Sequence, residues 1–192
     1  MTAPRVIPST ITREPAKFVA DVLQEEMDLD DAHCLLGDSE WHIPADKELF
    51  VAVFDGGGPV ISTVNFLDAD ATSTTYGKEI QQSTILHDIR IEIMSFDADA
   101  RLRKEEVGMA MASMFAQQEA ERYRMGLGRA QVPVNATDSE PTGRLLKYVT
   151  HINVTALHQK VKDPPTGKDY FTKFNGATTA GTANPPQVTS EA

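Results

Sequence analysis

The chain has one cysteine, fewer basic than acidic residues, and no long apolar run near its start. A lone Cys34 excludes an intramolecular disulfide and fits a reducing compartment. Eighteen Lys and Arg against twenty-eight Asp and Glu leave a net charge of −10 and an isoelectric point near 4.9. That balance argues against a free-standing nucleic-acid binder, which needs a basic face to recruit phosphates, although an acidic wall lets DNA pass without sticking. Met1 to Arg13 holds no apolar stretch, so the expectation is neither a signal peptide nor a membrane anchor. No internal repeat is present.

Other absences remove chemistry. Gly56-Gly57-Gly58 lacks the Lys-Ser/Thr and following helix of a P-loop, and Pro59 comes next, so a turn is the reading. Thr166-Gly167-Lys168 lacks the same parts. The acidic run Glu25 to Asp31 has no alternating ligand loop with a central glycine, which leaves a solvated helix end rather than a calcium site. His33, Cys34 and His42 come nearest to a metal cluster, yet a tetrahedral zinc site needs about four ligands and nothing completes the set. His151 and His158, seven apart on an expected strand, point to opposite faces and read as surface or interface residues. No residue is assigned as catalytic, cofactor-binding or metal-ligating, and no cofactor is expected.

What the sequence does hold is 41% hydrophobic residues over 192 positions, enough for a domain core. Phe18, Val19, Val22 and Leu23 form the stripe of a short amphipathic helix that starts at Thr12 and Pro15 and runs to Met27. Asp28 to Lys47 reads as irregular and acidic. Strands are expected over Glu48–Asp55 and Val60–Leu67, joined as an antiparallel hairpin by the three glycines and Pro59. Asp68 to Gly77 is small and polar, hence an exposed loop suited to contacts with other chains. In Ile85 to Ile93 the isoleucines alternate with Asp88, Arg90 and Glu92, the signature of a strand with one buried face inside a longer strand, Lys78–Phe96.

One long central helix is then expected, capped by Asp97 or Asp99 and ending before Gly126. At about 100° per residue it is apolar on two sides: Val107, Ala110, Met111, Met114 and Phe115 on one, Leu102, Met109, Ala112, Ala116, Ala120 and Tyr123 on the other. The second side calls for cover by the N-terminal helix or by a neighbouring subunit. Gln131–Ala136 and Arg144–Val161 read as the closing strands. The expected fold class is α+β, a mostly antiparallel sheet covered by a long central helix and a short N-terminal helix, with extended terminal arms. Its parts are an N-terminal arm over 1–11, an α+β domain over 12–161, and a low-complexity C-terminal arm over 162–192 whose Pro, Gly, Thr and Asn cannot build a core and which would lie along a neighbouring subunit.

The segment Asp88-Ile89-Arg90-Ile91-Glu92-Ile93-Met94-Ser95-Phe96-Asp97, a long helix, Arg122-Tyr123-Arg124-Met125-Gly126-Leu127-Gly128 and a closing strand together resemble the neck and tail-terminator proteins of tailed bacteriophages, over about Thr12 to Lys160. The resemblance implies a non-enzymatic subunit of the virion, assembled in the host cytoplasm into a homo-oligomeric ring, typically a hexamer, between the head-side connector and the tail tube. Its implied partners are further copies of itself, adjacent neck, tail-tube or sheath proteins, and DNA in passive proximity. Collar, adaptor and stopper proteins share these broad properties. The rival reading is a small-molecule-binding or enzymatic α+β domain with a site where Trp41, His42 and Tyr76 approach the sheet.

Overall fold

The computed structural model describes residues 13–37, 48–70, 72–137 and 145–162. Thr12, Trp41, His42 and nearly all of both expected arms lie outside these residues. The described elements are α1 (Pro15–Met27), β1 (Cys34–Leu36), β2 (Phe50–Asp55), β3 (Val60–Leu67), β4 (Glu79–Ser95), α2 (Asp99–Arg103), α3 (Glu106–Met111), α4 (Met114–Tyr123), β5 (Gly126–Leu127), β6 (Val134–Asn135) and β7 (Leu146–Lys162). The described residues fall into two compact units, those of 13–64 with 82–159 in one and those of 65–81 with 160–162 in the other.

The sheet has seven strands in the order β1-β2-β4-β7-β5, with β3 paired to β4 and β6 to β7. It is a mixed sheet, because β1 runs parallel to β2, with Cys34 opposite Val51 and Leu36 opposite Val53. This corrects the expectation of a mostly antiparallel sheet under one long helix. Residues 34–36 are too few to show a strand period, so β1 is invisible in the sequence. β2 is antiparallel to β4, which sets Val51 beside Ile93 and Val53 beside Ile91 on one face, and Phe50 beside Met94 and Ala52 beside Glu92 on the other. The core lies on the first face, where Ile89, Ile91 and Ile93 meet Phe18, Val19 and Leu23 of α1, with Val107 and Met111 of α3. The second face carries a smaller cluster of Phe50, Ala52 and Met94, so this part of β4 is buried on both sides.

β2 and β3 do not form a hairpin. They follow one another along the same edge of β4, and the glycines between them make a bulge. Gly56 donates its N–H to the Asp88 carbonyl, while the Asp88 N–H reaches the Gly57 carbonyl, so two residues oppose one. Gly57 takes φ +69°, and a Cβ on Gly58 would run into the Leu86 carbonyl. The strand then continues, the Leu86 N–H bonding to the Pro59 carbonyl and Thr63 facing Ser83 across 3.1 Å. Reversal waits for the loop after Leu67.

That loop lies in the second unit and is closed by its own hydrogen bonds. The Asp68 carboxylate accepts from the Asp70 N–H at 3.1 Å and from the Thr75 hydroxyl at 2.6 Å. Bonds from Ser73 and Thr75 hold the Asp68 carboxyl below its ordinary range, and bonds from Thr72 do the same for Asp70.

The single central helix is replaced by α2, α3 and α4. Ala112 closes α3, and Ser113 turns extended (φ −67°, ψ 161°) to cap α4, its Oγ accepting the Ala116 N–H at 3.0 Å. This interruption re-phases the helix. Ala116 and Ala120, which a straight helix places opposite Val107 and Met111, join them in the same core, whereas Met109, 72% exposed, and Ala112 stay at the surface. Val107, Ala110 and Met111 of the first expected side thus share one core with Ala116 and Ala120 of the second, while Met114 and Phe115 of the first and Leu102 of the second are exposed, and Ala116 finds its cover within the chain.

α1 packs on β1, β2 and α3. Pro15 starts it, where no N–H is needed, and Asp28 ends it in the left-handed conformation at φ 55°. Arg103 Nη2 donates to the Met27 carbonyl at 2.8 Å and so ties that end to α2.

Candidate functional site

The residues that invited a chemical reading are dispersed. His33 stacks on Phe50 and places Nδ1 2.6 Å from Asp30 and Nε2 3.2 Å from Glu48, a contact that draws the Asp30 carboxyl downward. Cys34, the next residue on β1, is buried, and its Sγ–H donates to the Ala20 carbonyl of α1 at 3.4 Å. Burial, with help from the Asp31 charge, pushes its thiol up to about 12, so it stays protonated and unreactive at neutral pH. His33 and Cys34 therefore do not converge, and His42 lies outside the described residues. Of the rival trio, Trp41 is also outside them and Tyr76 is exposed. Among the described residues no group of three or more His, Cys, Asp or Glu gathers as metal ligands. A cleft of about 690 Å³ opens beside α3, α4 and β5, where Met111, Gln117, Glu121, Met125 and Arg129 line it.

The face of β4 away from the helices holds the charged residues. Lys147 Nζ lies 2.7 Å from Glu92, and Arg90 lies 3.4 Å from the same carboxylate and over the Phe54 ring at 4.4 Å. His151 Nδ1 sits 3.1 Å from Asp88. These contacts, with Gln82 meeting Gln159, show β4 and β7 running antiparallel. Glu92, read from its alternation as a solvent residue, is almost fully buried, and its carboxylate serves two cations. The face is therefore close to neutral.

The helix-side face carries a cluster that sequence reasoning missed. The same alternation that buries Ile89, Ile91 and Ile93 puts His87 on the core face, and on β7 His158 follows Ile152, Val154 and Ala156. Their Nε2 atoms stand 3.3 Å apart. Asp55, the last residue of β2, reaches His87 Nδ1 at 2.9 Å. Residues 55, 87 and 158 have no shared spacing, so only the strand register could have disclosed the meeting.

β3 offers a different kind of site. Its residues from Val60 to Asn65 are exposed along the strand, and so on both faces, with Val60, Ile61 and Val64 at 56%, 56% and 59%. Among the described residues β3 pairs only with β4, which leaves its outer edge open. The strand Val-Ile-Ser-Thr-Val-Asn-Phe-Leu contains no charged residue to discourage another strand from adding there.

No helix among the described residues is long and apolar enough to cross a membrane. No protein-family model matches the sequence, and the curated proteins contain no match to it.

Proposed function

We propose that the chain is a structural ring subunit of a tailed-phage neck or tail, a tail terminator or a closely related connector, which joins the head-side connector to the tail around the DNA path. One observation supports the assembly part of this reading: β3, an uncharged strand exposed on both faces with an open edge. An edge of this kind is normally blunted by charge or proline, or covered. Here Pro59 stands only at its start, so cover by a neighbouring copy is the economical solution. The sequence resemblance supplies the identity of the ring. The near-neutral outer face and the net charge of −10 suit a wall that DNA passes without being held.

The test is assembly. Light scattering and negative-stain microscopy of the purified chain are expected to show closed rings. Ile61→Lys, placed where the side chain is already exposed, should leave the circular dichroism and melting temperature unchanged while shifting the mass toward the monomer. A wild-type chain that stays monomeric at all concentrations overturns the reading, and rings that persist in the variant move the interface away from β3.

A further inference from the structure

The geometry points to a second site, independent of assembly: His87 and His158 form a two-histidine seat for a divalent transition-metal ion of the zinc class, with Asp55 as the group that orients it.

The Asp55 carboxylate, 2.9 Å from His87 Nδ1, can only accept a hydrogen bond, so Nδ1 carries the proton and the lone pair of His87 sits on Nε2. His158 Nε2 stands 3.3 Å from it. Two zinc–nitrogen bonds of about 2.0–2.1 Å opened at the tetrahedral angle span roughly 3.3–3.4 Å, the separation these two nitrogens already have. The ring centroids are 5.5 Å apart, with the ring planes 29° from parallel.

The carboxylate–histidine pairing is the support that metal-binding imidazoles use: it fixes the tautomer and raises the basicity of the ligating nitrogen. Placement adds to the argument. His87 is buried and His158 half-buried at the positions next to Ile89 and Ala156 on the core face. An ion there would clasp β4 to β7 and take water in its two remaining positions. Imidazole nitrogens with water suit zinc, copper or nickel rather than calcium or magnesium, which prefer oxygen ligands.

The experiment uses the full chain and Zn²⁺. Calorimetric titration is expected to show one ion bound per chain, lost in His158→Ala and weakened roughly 10–100-fold in Asp55→Asn, which keeps both ligands but removes the charge that orients His87. X-ray absorption of the zinc-loaded wild-type chain should show two imidazole nitrogens in the first shell, a readout that holds even if His158→Ala does not fold. Binding unchanged in both variants, a first shell of oxygens alone, or no saturable binding by the wild-type chain each overturns the proposal.

Discussion

Gly58→Ala is expected to destabilise the chain by about 2–3 kcal/mol, seen as a lower midpoint in urea unfolding, because its new Cβ has to displace the Leu86 backbone carbonyl. The carbonyl belongs to the long strand β4 and cannot rotate away like a side-chain tip. Gly57→Asn is the companion measurement. Gly57 also sits in an unusual conformation, at φ +69°, but nothing lies within 4 Å of where its Cβ would stand. Asparagine tolerates that backbone region better than most residues, so the loss there should stay below about 1 kcal/mol. Equal losses at the two glycines would show that backbone conformation, not close approach to β4, is what the bulge demands.

A larger effect is expected at Phe18. Its ring is buried between α1 and the core face of the sheet and meets Tyr123 of α4 edge-on, with centroids 6.4 Å apart. Phe18→Ala removes a full aromatic side chain from a site that rigid strands prevent from collapsing, at a cost of about 3–5 kcal/mol. Against a total stability of about 5–15 kcal/mol, that brings the chain close to unfolding near room temperature. Met114→Ala, at an exposed position on α4, should change stability by less than about 0.5 kcal/mol. A Phe18 variant that melts like wild type would mean that α1 is not the cover of this sheet.

The contrast between these positions shows what the sequence discloses. The stripe Phe18, Val19, Val22 and Leu23 and the alternation Ile89, Ile91, Ile93 are periodic signals, and the structure buries all of them together. Strands β3, β4 and β7 stand close to where their patterns end. The errors lie where local period carries no information. Three glycines and a proline are as compatible with a bulge as with a hairpin turn, and only pairing to the distant Leu86 and Asp88 decides between them. A serine inside a helical run is also equivocal: Ser113 as an N-cap ends one helix and starts another, which brings Ala116 and Ala120 into the core that holds Val107 and Met111. Glu92 was misplaced and His87 passed over for a related reason. Each obeys the alternation of β4, but their burial depends on Ala52 and Lys147, or on Asp55 and His158, delivered by other strands.

The open edge of β3 also sets how assembly should respond to solvent. Every copy carries a net charge of −10, so two copies approaching each other repel at long range, while the edge that would join them offers only backbone hydrogen bonds and uncharged side chains. Added salt screens the repulsion, with a reach of about 10 Å at 0.1 M, and leaves uncharged contacts intact. Association through β3 should therefore strengthen as ionic strength rises, and sedimentation velocity across a salt series reads it directly. Weaker association at higher salt would point to ion pairs between copies and to another surface. If copies join through β3, an edge without charge makes ionic strength a control on assembly, holding copies apart in dilute buffer and permitting contact as salt rises.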